Sequence, residues 1–443
     1  MTPLPNHPQR YALNAEIHAR PSQALRAPLK VSYLVLLTDA ARADAEWQHF
    51  TELVQRFGTA VPESRASHFL LQHGPLTVIL ERHTEYSRYT VLSTSIPEDD
   101  SATALDQLPA DWISGLGGEM LLRLHCDLVE GVDDAADLEL ARERFGDQDF
   151  AGSLIADGRA AVFTDFDIQE NDSNYLLLVD RGMAPLQAGR NLMRVLEINT
   201  YWLLALLAFP VAKAQLPYLA DREKYVQELS RQLTVARSYE QEAALLTQLT
   251  QLEAELSDRV AANAYRFGAA FAYNDLVQQR IEDLRERRLP GLQTLQEFSQ
   301  RRLAPAMQTC GTVTTRQGRL NERASSVTQL LATRVNMDVQ LQNRGVLESL
   351  NRRAEIQLRL QETVEGLSIA AITYYLVGLV KYAATALKGG GVPVNADLVV
   401  GGSIPVIAFL VGFSLWRFRR RVAAANAASR ATGGSSGTGT GPG

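Results

Sequence analysis

Two apolar stretches near the C-terminus constrain this chain more than any other feature. Leu367 to Leu387 is interrupted only by Lys381, and Leu398 to Trp416 carries no charge at all. Each is close to the ~20 residues that a helix needs to cross the hydrocarbon core of a bilayer. Between them lies Lys388-Gly-Gly-Gly-Val-Pro-Val-Asn395, too short to hold a domain. The pair therefore reads as a helical hairpin with both ends in one compartment, against the alternative of a buried soluble hairpin. Arg417, Arg419, Arg420 and Arg421 follow the second stretch, Arg352, Arg353 and Arg359 precede the first, and Lys388 alone marks the far loop. The positive-inside rule then expects both ends, and most of the mass, in the cytoplasm, with Trp416 and Tyr382 as interfacial anchors.

The remainder has to be divided. A chain of 443 residues suits two or three structural units. Hydrophobic residues make up 46% and charged residues 21%, a soluble balance that hides the membrane stretches from any whole-chain average. The net charge of -6 gives no reason to expect a nucleic-acid surface, which needs clustered Lys and Arg. Cys126 and Cys310 stand far apart, and two lone thiols suit a reducing compartment. Met1 to Arg10 has no apolar run of the kind a secretory signal needs, so the N-terminal part is expected to stay where it is made.

The expected architecture is an α+β cytoplasmic domain, a long helical stalk, and a C-terminal two-helix transmembrane hairpin. Residues 1–27 read as an extended segment and 28–217 as the α/β domain. Residues 218–366 read as a helical, coiled-coil stalk, 367–416 as the hairpin (spans 367–387 and 398–416), and 417–443 as a basic, then disordered Gly/Ser/Thr tail. Strands are expected over Lys30–Thr38, within Pro75–Ser93, over Met120–Val129 and Ser173–Asp180, and as a hairpin in Ala151–Phe166 around Asp157-Gly158. Helices are expected over Ala43–Phe57 and Thr103–Leu116, in an antiparallel or mixed-sheet domain. The run Tyr201–Phe209 is too short to span a membrane and is closed by Pro210, Lys213 and Pro217, which predicts a buried helix. Leu219, Val226, Leu229, Leu233 and Ala236, and then Leu249, Leu252 and Leu256, fall at heptad-like spacing. Pro290-Gly291 breaks the pattern. From Pro305 no proline recurs until Pro393, so one helix is expected to run into the first span, its cytoplasmic part roughly 90 Å long. A helix of that length needs lateral partners from its own chain or from other copies, which predicts a homo-oligomer.

Candidate chemistry is sparse. In Glu81-Arg-His-Thr-Glu85, a strand would turn Glu81, His83 and Glu85 to one face, a candidate site for a divalent cation and equally a solvated face of ion pairs. Asp165 and Asp167, in Asp165-Phe-Asp-Ile-Gln-Glu-Asn-Asp172, form a second acidic candidate, though no Gly stands where an EF-hand loop turns. His18 has no nucleophile beside it, and His125-Cys126 on a strand would point to opposite faces. Gly115-Leu-Gly-Gly118 reads as a helix terminator. No Walker loop, dinucleotide fingerprint, HExxH or GxSxG is present, so the expectation is a non-enzymatic protein without a cofactor. Lys381 is an ionisable residue inside a span, a functional candidate or a residue that snorkels to the far interface. Tyr374, Gly378 and Thr385 join it as candidates for the span. Ala371, Gly378 and Thr385 recur every seven residues, and Ala408 and Gly412 are four apart, so the spans are able to pack closely.

Several segments resemble a bacterial family, domain of unknown function 3422, described as predicted membrane-anchored proteins. They are Asn14-Ala-Glu-Ile-His-Ala-Arg-Pro21, Glu81-Arg-His-Thr-Glu85, Arg301-Arg-Leu-Ala-Pro-Ala-Met-Gln-Thr-Cys310 and Gln361-Glu-Thr-Val-Glu-Gly-Leu-Ser-Ile-Ala-Ala-Ile-Thr-Tyr-Tyr375. The resemblance implies a bacterial inner-membrane location and no established activity. The layout is also similar to the CorA-type magnesium channels, pentamers whose first span lines a pore. That likeness implies ion permeation, although their Gly-Met-Asn motif is replaced here by Thr385-Ala-Leu-Lys-Gly-Gly-Gly391 and Lys381 would add positive charge to a pore. The alternative is a membrane-anchored scaffold or interaction module.

Overall fold

Strand β1 (Leu29–Leu37) is mostly apolar and buried along almost its whole length, as a strand covered on both sides must be, with Lys30 and Ser32 as its buried polar residues. The chain continues through α1 (Ala43–Arg56), β2 (His68–His73), β3 (Leu76–Arg82), β4 (Tyr86–Ser93), α2 (Ala110–Ser114), β5 (Glu119–Glu130), α3 (Asp134–Phe145), β6 (Ala151–Ile155), β7 (Ala160–Thr164) and β8 (Asn174–Asp180). Helices α4 (Pro185–Leu206), α5 (Ala208–Val235) and α6 (Tyr239–Leu284) follow. A two-residue strand β9 (Arg287–Arg288), α7 (Leu295–Gly389) and α8 (Ala396–Thr432) complete the chain. This computed structural model describes residues 6–11, 13–14, 23–61, 68–96, 101–146, 149–389 and 395–432. The segment around His18, the centre of the Gly-rich loop after Lys388, and the tail from 433 lie outside them.

Among the described residues nine strands form one mixed sheet in the order β2-β3-β4-β1-β5-β8-β7-β6-β9, antiparallel throughout except between β5 and β8. One core lies under α1 and α2, where Phe50, Leu53, Val54 and Trp112 meet Leu34, Leu71, Val78, Leu80, Tyr89 and Val91. A second lies under α3, where Ala141 and Phe145 pack on Phe163, Leu177 and Val179. Pro109 divides the expected Thr103–Leu116 helix into a 3-10 turn (Ala104–Gln107) and α2, because proline lacks the N–H that would join them. The β6–β7 connection is a four-residue loop, with Ile155 paired to Ala160, rather than a two-residue turn. Ala156, Asp157 and Gly158 all take positive φ there, at 55°, 62° and 89°.

The helices depart further from expectation. Pro210 and Pro217 do not close the helix that begins at Pro185, which passes a break at Leu207 and resumes as α5. Pro210 falls in the first turn of α5, where its missing N–H has no intrahelical partner to lose. Helices α5 and α6 then fold back on each other. Tyr218 donates to Glu255 at 3.0 Å and Tyr225 to Gln248 at 3.2 Å, an antiparallel register that buries Leu219, Val226, Leu249, Leu252 and Leu256. The heptad spacing therefore serves an intrachain hairpin. Arg316 on α7 reaches Glu223 at 2.8 Å, and Leu303, Cys310, Val313, Leu320 and Leu331 are buried. Pro305 lies inside α7 instead of starting it.

The chain clusters into two compact units, Met1–Ala332 and Thr333–Gly443. Residues 218–332 thus fall in the same compact unit as the sheet. Among the described residues three helical stretches are long and apolar enough to cross a membrane: Pro185–Val235, Leu295–Leu387 and Asp397–Ser414. Most of the apolar part of the first (61%) is buried within the protein, whereas none of the other two is, and only these leave their apolar surface to be covered.

Candidate functional site

The Glu81–Glu85 segment does not form the single strand face that its sequence suggests. Strand β3 ends at Arg82, and His83 to Glu85 turn the corner into β4, with the His83 N–H donating to the Tyr86 carbonyl at 2.9 Å. The three candidate ligands therefore separate. Glu81 points to Arg88 and His68, His83 stacks on Tyr86 with centroids 4.3 Å apart, and Glu85 accepts from Arg266 of α6 at 2.8 Å. Asp165 is occupied by its own turn, accepting from the Asp167 N–H at 3.1 Å and from Gln169 at 2.6 Å, and burial raises its carboxyl. Among the described residues no group of three or more His, Cys, Asp or Glu is placed to hold a metal ion.

What the turn does is close one side of a charged cleft against α4 and α6. A cavity of about 390 Å³ is lined by Glu81, His83 and Arg88 from the β3–β4 hairpin, by Arg190, Arg194, Glu197 and Tyr201 from α4, and by Arg280 and Asp283 from α6. Arg190, Arg194, Glu197 and Tyr201 recur at helical spacing on one face of α4, a stripe that holds all of that helix's charged residues. Arg88 is 4% exposed and bonded to Glu81, and its Nη1 donates to Glu197 at 3.1 Å. Glu197 also accepts from Arg280 at 2.6 Å. Arg194 and Arg280 each lie 3.7 Å from Asp283, and Arg190 pairs with none of these carboxylates.

Burial shapes the titration of the cleft. It pushes the Glu81 carboxyl up, but hydrogen bonding from His68 and Arg88 and the Arg88 charge outweigh it and hold Glu81 at about 2. Burial also raises the Tyr33 phenol to about 12; its hydroxyl lies 2.9 Å from Thr200 of α4. A second cavity of about 420 Å³ shares His83 and Tyr201 with the first and adds Tyr86 and Tyr273. The cleft thus has an arginine end and an aromatic end. The sequence marked Glu81 and His83 but not Arg88, Glu197 or Arg280. The signal for part of this set was present in the charged spacing on α4.

His125 and Cys126 do point to different surroundings. His125 sits between Ser32 at 2.9 Å and Ser173 at 3.1 Å, with burial pushing it down to about 4, while burial raises the Cys126 thiol. Gly115 ends α2, as a terminator would. In the second unit, Tyr374, Gly378, Lys381 and Thr385 follow at intervals of four, three and four residues on α7, so they share one face. Tyr374 is 78% exposed, and Lys381 and Thr385 are exposed as well.

The family described as "Protein of unknown function (DUF3422)" matches the chain over residues 5–422. No curated protein and no solved structure matches it.

Proposed function

The chain belongs to the DUF3422 family, and from that premise we propose that it is a non-enzymatic, membrane-anchored homo-oligomer of the bacterial inner membrane. Its α/β unit and both termini lie on the cytoplasmic side. The observation that carries this reading is the contrast among the three apolar helices. The first is mostly buried in its own unit, while the apolar windows near the end of α7 and along α8 hold no buried residue. In water, such bare apolar surface would cost roughly 25 cal/mol per Å². In a bilayer it costs nothing, and the helical backbone satisfies its own hydrogen bonds there. The arginines flanking both spans support the sidedness. Val346, Leu350, Leu360 and Val364 are exposed at heptad-compatible positions ahead of the first span, and a second copy would cover them.

The test joins extraction to sidedness. An alkaline carbonate wash should leave the chain in the membrane pellet, and a periplasm-dependent reporter fused after Gly443 should stay silent. Release into the supernatant would sink the anchor, and a strong periplasmic signal would overturn the orientation.

A second reading, ion permeation, is favoured by one observation: Tyr374, Gly378, Lys381 and Thr385 form a polar and small-residue stripe on one face of the first span. In a ring of copies, that stripe would face the axis.

A further inference from the structure

We propose that the cleft between the β3–β4 hairpin and helices α4 and α6 binds a small organic phosphate carrying a flat ring, of the nucleoside monophosphate type. The inference concerns the first unit alone and does not rest on the membrane reading.

Charge is the first argument. Four guanidinium groups line the cavity (Arg88, Arg190, Arg194 and Arg280) against three carboxylates, Glu81, Glu197 and Asp283. One positive charge is in excess. If the arrangement served only to fix the hairpin to the helices, each arginine would be expected to have a close carboxylate. Arg88 and Arg280 meet that expectation through Glu197, at 3.1 and 2.6 Å. Arg194 has only Asp283 at 3.7 Å, a carboxylate it shares with Arg280, and Arg190 has none of the three.

Geometry is the second. Arg190 and Arg194 stand one turn apart on α4, so their forks rise side by side about 5–6 Å apart at the Cβ atoms. Two planar forks at that spacing suit the oxygens of one phosphate group, which guanidinium binds in bidentate fashion. The helix is held firmly beneath them. Gly189 lies so close to the Gln23 backbone that a Cβ there would stand 1.9 Å from its carbonyl oxygen. The third argument is the other end of the cleft. His83 and Tyr201 belong to both cavities; His83 lies over the buried Tyr86 and Tyr273 over Tyr201, so the half-buried rings of His83 and Tyr273 are the flat surfaces that line this end. A ligand that fills both ends is anionic at one and planar at the other.

The test uses the full-length chain purified in detergent, titrated calorimetrically with AMP, ribose 5-phosphate, inorganic phosphate and adenosine. AMP should bind saturably and at least tenfold more tightly than ribose 5-phosphate, with adenosine weaker still. The double variant Arg190→Gln, Arg194→Gln should weaken AMP at least tenfold while its thermal unfolding stays close to that of wild type, since Arg190 is exposed and Arg194 bonds only Asn191 of its own helix at 3.2 Å besides the 3.7 Å pair with Asp283. Arg190→Gln alone, the milder change, should weaken AMP by a smaller factor. Absence of saturable binding by any of the four, equal affinity for AMP and inorganic phosphate, or unchanged AMP affinity in a folded double variant would each overturn the proposal.

Discussion

Arg88 lies between two carboxylates from distant parts of the chain, Glu81 seven residues earlier and Glu197 more than a hundred later. A buried guanidinium is tolerable only with such partners, and removing one of them costs about 3 kcal/mol or more. Glu81 also predicts the acid behaviour of the first unit. Its carboxyl is held at about 2 in the folded protein against an ordinary 4.5. A depressed carboxyl adds stability above its unfolded pKa and loses it as pH falls through the folded value. Glu81→Gln should therefore lower the urea midpoint at pH 7 and approach wild type between pH 4.5 and 2. Midpoints that differ equally at every pH would show that the charge of Glu81 is not what stabilises. Glu81 and His83 were legible as polar residues in a strand-rich segment. Their separation was not, because only the turn at His83 to Glu85 sends them to different partners.

At the scale of elements, the start of α7 shows how a boundary is made. Thr294 and Glu297 cap each other, Thr294 Oγ1 accepting from the Glu297 N–H at 3.1 Å and Glu297 accepting from the Thr294 N–H at 3.3 Å. This is the T-x-x-E capping box, and it could have been read in Thr294-Leu-Gln-Glu297 ahead of the misleading Pro305. Glu286 supplies what no local pattern reveals. It accepts from the Leu295 and Gln296 N–H groups at 2.9 and 3.0 Å and from Ser153 of β6 at 2.7 Å, tying the helix start to the sheet edge where β9 pairs. Glu286→Ala should cost about 2 kcal/mol, from two lost helix-end acceptors and an unpaired serine. Amide exchange would check it: Leu295 and Gln296 should lose protection while β1 and β4 keep theirs. Retained protection at both amides would mean that the capping box alone holds the helix start. The strands expected over Lys30–Thr38, Met120–Val129, Ala151–Phe166 and Ser173–Asp180 were found within a residue or two, whereas Pro75–Ser93 divides into β3 and β4 at His83 to Glu85, and β2, β9 and α3 were missed for want of a strong alternation or apolar stripe.

For the molecule as a whole, the open distinction is between an anchor and a pore. If the first spans of several copies surround an axis, Lys381 places like charges near its mouth, and repulsion in a low-dielectric pore would cost several kcal/mol per added charge. Lys381→Ala should then raise cation flux in proteoliposomes above wild type. Flux at the empty-liposome level in both proteins, with insertion confirmed, would remove the permeation reading and leave the anchor.

Order along the chain is enough for whatever depends on neighbouring residues. It located the apolar runs of Leu367–Leu387 and Leu398–Trp416, the strand-rich composition of 28–185, and the heptad leucines. Each of these follows from a side-chain period or an uninterrupted length. Which surfaces those residues cover depends on packing in three dimensions. The heptads close on each other within one chain, and the apolar helix at Pro185 is buried while those near the C-terminus are bare. Arg88, Glu197 and Arg280 meet only because β4, α4 and α6 pack together. Such contacts form when chain closure and core packing bring distant residues together, and no local spacing encodes them.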